Sequence, residues 1–145
     1  MRHKRIYLLI IWFFFMGTTI VESNRLYASY NVVFYRPGRT LYVQAGLDPV
    51  TRTCAITHEL GHTHYAHDCS TQQAEHKADK WAADHFLHEA AVQHTAYETE
   101  FEPAAIATEL GVTQHILKSW CRRYQAGSTT CRCSLRNRPR DRIFI

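Results

Sequence analysis

Apolar positions along this chain run first as a block, then alternate, then recur every three to four residues. The block is residues 6–16, Ile6-Tyr7-Leu8-Leu9-Ile10-Ile11-Trp12-Phe13-Phe14-Phe15-Met16, preceded by Arg2, Lys4 and Arg5. A basic start before such a run has the layout of a signal peptide. It is shorter than the roughly 20 residues of a membrane span unless Gly17 to Val21 join it. No small-x-small cleavage site follows. Residues 1–24 therefore form a separate apolar segment: a signal, an anchor or a buried element of the core.

Alternation comes next. Val32–Tyr35 is β-branched and aromatic, Arg36-Pro37-Gly38-Arg39 carries turn residues, and Thr40–Gln44 alternates with period two. This predicts a β-hairpin. Beyond it the period lengthens. Asp48-Pro49 is a helix start, because Asp accepts from free amides and Pro at the first helical position loses no needed N–H. A helix over residues 49–66 would gather Val50, Cys54, Thr57 and Gly61 into one apolar or small stripe. A second helix opens with Ser70 as cap and Gln73 as its reciprocal partner, and continues through Trp81 and Ala83 towards Glu89. Pro103–Leu110 closes at Gly111. Thr113 then caps a helix carrying Ile116, Leu117 and Trp120 to about Tyr124, a helix-turn-helix pattern. The fold class is α+β, in one compact domain over residues 25–125, the helical pair occupying 103–125. A basic tail at 126–145, poor in apolar residues until its end, is expected to be mobile.

Chemistry enters with His58-Glu59-Leu60-Gly61-His62. Residues four apart share a helix face, so His58 and His62 can hold one Zn²⁺, with Glu59 placed to act on water beside it. Given ten His in 145 residues, such a motif arises by chance about 0.04 times per chain, uncommon but not negligible. Gly61 costs about 1 kcal/mol relative to Ala inside a helix, and its use there is to let another backbone come close.

A catalytic zinc needs a third protein ligand and an open position. Glu75 and Asp79 lie one turn apart on the second helix, facing one way. Glu75 is assigned as the third ligand. Asp79 is assigned behind it, accepting the remaining ring N–H of His58 or His62. The structural alternative is a solvated acidic pair. His67 and Asp68 follow the first helix too closely to swing back, and His85 and His88 form a separate pair. No donor to a developing oxyanion stands out, although His64, Tyr65 and His85 are candidates.

Two strings together, Ile56-Thr57-His58-Glu59-Leu60-Gly61-His62 and Glu75-His76-Lys77-Ala78-Asp79-Lys80-Trp81-Ala82-Ala83, resemble the ImmA/IrrE-type zinc metallopeptidases of phages, mobile elements and actinobacteria. The resemblance spans residues 39–124. It implies a zincin-like core, Glu75 as third ligand, and Ala78, Trp81 and Ala82 packed on the metal helix. The gap from His62 to Glu75 is shorter than in many relatives, so a tight turn at Asp68-Cys69-Ser70 must bring the second helix straight back. The expected activity is zinc-dependent peptide hydrolysis, Glu59 taking a proton from water and passing it to the leaving amine. A strand edge beside the metal helix would align the substrate, or else the hairpin only packs. The implied substrate is a repressor-like regulatory protein.

Charge adds a rival. The chain carries a formal +4, and from Lys118 onward eight Lys or Arg face one acid, Asp141. A basic end after a helix-turn-helix pattern suits DNA phosphates, so DNA contact through residues 103–142 stands beside a packing role for the pair. An exported or membrane-tethered hydrolase is the third reading. Five cysteines (Cys54, Cys69, Cys121, Cys131, Cys133) include no C-x-x-C and are odd in number. Reduced thiols in the cytoplasm are the simpler account, with Cys54 a packing residue.

Overall fold

The computed structural model describes residues 17–27 and 30–127, the last five of these for their backbone only. The apolar block at 6–16 and the tail beyond residue 127, with Cys131 and Cys133, lie outside the described residues.

Three strands form one sheet in the order β1-β3-β2: β1 (Thr19–Ser23), β2 (Val32–Tyr35) and β3 (Thr40–Gln44). β2 and β3 make the expected hairpin, pairing Val32 with Val43 and Phe34 with Leu41. Arg39 closes the turn at φ 46°, its N–H donating to the Arg36 carbonyl at 3.0 Å. β1 was not foreseen. It lies parallel to β3, Thr19 beside Thr40 and Ser23 beside Gln44. Thus Thr19–Ser23, the end of the segment read as a signal, an anchor or a buried element, belongs to the sheet. Leu41 and Val43 point to one face of the central strand and are fully buried. With Val32 and Leu60 they form a core against which Ile20, Phe34, Ile56 and Trp81 pack.

α1 (Pro49–His64) begins as the sequence predicts: the Asp48 carboxylate accepts from the amides of Val50 and Thr51, each at 3.0 Å. It ends at the Tyr65 cap rather than at residue 66. Leu60 faces the sheet core, and Gly61 faces α2 (Gln72–Phe86). A Cβ on Gly61 would stand 2.8 Å from the Ala78 Cα and 3.0 Å from its carbonyl oxygen. Only hydrogen fits there. α2 is capped by Thr71, whose hydroxyl accepts from the Ala74 amide at 3.2 Å, not by Ser70.

Packing divides the chain after Ala82 into two compact units. α2 stops at Phe86 and does not reach Glu89, because His88 takes an extended backbone and opens α3 (Glu89–Glu98). α4 (Pro103–Leu110) and α5 (Gln114–Gly127) follow, joined through Gly111 in the left-handed region at φ 65°. Buried Ile106, Val112, Ile116, Leu117 and Trp120 form the apolar interior of this second unit. The Thr113 hydroxyl accepts from the Ile116 amide at 3.4 Å, so the helix-turn-helix-like pair forms with the expected stop and start. Among the described residues no helix is long and apolar enough to cross a membrane.

Candidate metal centre

α1 carries His58 and His62 one turn apart on the face that meets α2, and the small Gly61–Ala78 contact lets the two helices close up there. Glu75 reaches both rings. His58 Nε2 lies 3.1 Å from Glu75 Oε2 and 3.1 Å from His62 Nε2, and His62 Nε2 lies 3.4 Å from Glu75 Oε1. Three ligands at about 2.05 Å from a tetrahedral ion would stand about 3.3–3.4 Å apart. The observed triangle has nearly that size. His58, His62 and Glu75 form a group able to hold a metal ion.

Protons point to the same use. The buried Asp79 carboxylate accepts from His58 Nδ1–H at 2.8 Å. A neutral imidazole carrying its proton on Nδ1 presents a lone pair at Nε2. That lone pair faces the Glu75 carboxylate and Nε2 of His62, a place where a cation could be held. Asp79 thus stands where the sequence places it, with His58 as its partner.

Electrostatics agree with a site that attracts positive charge. Burial works against protonation of His58, yet the Asp79 hydrogen bond and the charges of Asp79, Glu59 and Glu75 outweigh it and raise its pKa. Proton and metal ion compete for such a place. His62 is held below its usual pKa by burial and then by the charge of His58. Burial pushes Glu75 upward, but the Ser70 hydrogen bond and the charges of His62 and His58 leave its carboxyl lowered. Glu59 differs. Burial, helped by Glu75 and opposed by His58, lifts it to about 7.

Glu59 and His62 line an open cleft of about 320 Å³ together with Phe34, Arg36, Thr63, His67, Asp68, Cys69 and Ser70. Two of these were set aside by sequence reasoning. His67 does return, its Nδ1 lying 3.1 Å from His62 Nδ1, on the side of the ring away from Glu75. Asp68 accepts from the Arg36 guanidinium, which also donates to the His67 carbonyl. The signal missed was conformational: Ala66 takes φ 52°, reversing the chain immediately after α1. Of the candidate oxyanion donors, His64 stacks on Trp81 with ring centres 5.6 Å apart, and Tyr65 stacks on His67 at 5.4 Å. Neither lines the cleft. His85 and His88 belong to the second unit.

No family model matches the chain, and no curated protein does. A solved structure described as a Mycobacterium tuberculosis transcriptional regulator is similar in fold, with a TM-score of 0.54 and 18% identity. The likeness covers 84% of this chain and 40% of that one, so the chain spans under half of its neighbour's length.

Proposed function

We propose that this chain is a zinc-dependent endopeptidase of the ImmA/IrrE type, with a zincin-like core and a regulatory, repressor-like protein as its substrate in the cytoplasm. The observation that carries the reading is the triangle of His58 Nε2, His62 Nε2 and a Glu75 oxygen, 3.1–3.4 Å on each side. Two imidazoles and one carboxylate are the donor set of a hydrolytic zinc site with room for water. A zinc ion held there would supply Lewis acidity, acidifying water and steadying charge on a carbonyl oxygen. Glu59 serves as the base. It borders the cleft, and a carboxyl titrating near neutrality can take a proton from water and return it to the leaving amine.

Binding of the peptide falls to β2. It pairs with β3 on one side, and among the described residues its other edge has no strand partner. Backbone groups along such an edge can pair with an extended segment, while Phe34 offers an apolar surface at the cleft.

The test is metal content of purified protein together with cleavage of a protein substrate library. One equivalent of zinc is expected in the wild type and in Glu59→Gln, and none in His62→Ala or Glu75→Ala. Hydrolysis should vanish in all three variants. Unchanged zinc in Glu75→Ala would move the third ligand elsewhere, and full activity in Glu59→Gln would end the catalytic assignment.

DNA contact is the second reading, supported by the α4–Gly111–α5 pair and by Lys118 and Arg122 exposed on α5. The similarity in fold to a transcriptional regulator is compatible with it. A salt-dependent mobility shift with duplex DNA, weakened in Lys118→Ala/Arg122→Ala, would favour this reading.

A further inference from the structure

We propose that His67 is a positioning residue for His62: it accepts the Nδ1 proton of that ring and so turns the Nε2 lone pair towards the metal centre. The inference rests on the metal reading above and extends it to a residue outside the ligand set.

A neutral imidazole has one donor and one acceptor nitrogen. His62 and His67 meet through Nδ1 at 3.1 Å, and a hydrogen bond between two neutral rings at this place needs the proton on one of these atoms and a lone pair on the other. If His67 were the donor, His62 would hold its own proton on Nε2 and could not bind an ion. If His62 donates, its Nε2 is open and His67 carries its proton on Nε2. Metal binding selects the second arrangement. Which tautomer His62 adopts is thereby coupled to whether the site can be filled.

His67 is held for this task. Its amide donates to the His62 carbonyl at 3.0 Å, placing the two residues in one tight turn. The Arg36 guanidinium grips the carbonyl of His67 and the carboxylate of Asp68. Tyr65 stacks on the His67 ring, the planes inclined by 22°. Each ligand then has an outer partner of its own: Asp79 for His58, His67 for His62, and the Ser70 hydroxyl for Glu75. Groups of this kind fix ring orientation and commonly change metal affinity by about 10–100-fold when removed.

The test is zinc affinity by chelator competition for wild type, His67→Ala and His67→Asn, with the ring tautomers of His62 read by ¹⁵N NMR in the zinc-loaded wild type. The expected result is a zinc dissociation constant about 10–100-fold weaker in His67→Ala. In His67→Asn the side-chain oxygen can accept the same proton, and affinity should largely return. The NMR spectrum should place the His62 proton on Nδ1 and the His67 proton on Nε2. Zinc bound equally well by wild type and His67→Ala overturns the role of His67 alone. A zinc-loaded wild type with His67 protonated on Nδ1 overturns it as well, without relying on any variant. Failure of the wild type to bind zinc overturns both this inference and the metal reading.

Discussion

Two sides of the candidate metal centre are built in different ways. On one side stands α2, where Glu75 and Asp79 are fixed by a helix pressed against α1 so closely that Gly61 and Ala78 touch backbone to backbone. On the other stands the connector of residues 65–71, where a left-handed turn at Ala66 and one surface arginine, bonded to the His67 carbonyl and the Asp68 carboxylate, hold His67. The Asp79 side chain is 7% exposed, whereas those of Arg36 and Asp68 are 49% and 81% exposed. The helical side therefore draws on packing, which solvent does not weaken. The connector side draws on exposed polar contacts, which water and salt compete with. Their lesson is that stability and metal affinity need not move together when the site is altered.

Gly61→Val strikes the helical side hardest. Its added carbons would meet the Ala78 backbone, which cannot swing aside as a side chain would. Overpacking of this kind costs about 1–3 kcal/mol, and parting the helices also carries Glu75 away from both rings. Thermal unfolding and zinc content should both fall. A variant with normal zinc content would show that the close approach is not what sets the site.

Asp79→Ala comes next. It leaves His58 Nδ1 without its acceptor in a largely buried setting, a loss of about 1–3 kcal/mol. Zinc affinity is expected to fall about 10–100-fold. Asp79→Asn keeps an acceptor and should lose less of both. Equal losses in the two variants would mean that charge, not ring orientation, is what Asp79 contributes.

The smallest effect on stability belongs to Arg36→Gln. An exposed ion pair is worth about 0–1 kcal/mol, so the unfolding midpoint should hardly change. Zinc affinity should nevertheless weaken, because the carbonyl of His67 loses its anchor. A drop in stability as large as that of Asp79→Ala would dissolve the contrast between the two sides.

Much of the centre was legible beforehand because it depends on short spacings. His58 and His62 share a face by helical period alone, and Glu75 and Asp79 do so again on the next helix. The hairpin at Val32–Tyr35 and Thr40–Gln44 was equally local. β1 was not, since Thr19–Ser23 acquires its partner only by a parallel pairing that skips over β2, a contact that sequence proximity does not announce. Thr71 displaced Ser70 as the cap, leaving the Ser70 hydroxyl for Glu75. His67 was set aside as a ligand for lying too near the end of α1, and it stands outside the group of His58, His62 and Glu75. Its ring comes back to His62 because Ala66 turns left-handed, a conformation that alanine seldom adopts. The break at His88 was hidden because Leu87 and Ala90 continue a pattern that a helix would also accept.

The Gly61–Ala78 contact has a consequence for how this protein can change over time. His58 and Glu75 are joined by one short stretch of chain, and Arg36, far upstream, grasps that stretch at a fixed point. Lengthening the stretch by even a residue would leave the guanidinium reaching for a carbonyl that had moved, while the two rods remained locked at their crossing. Changes of length between the rods are thus the hardest to accommodate, because the spacing there works as a ruler.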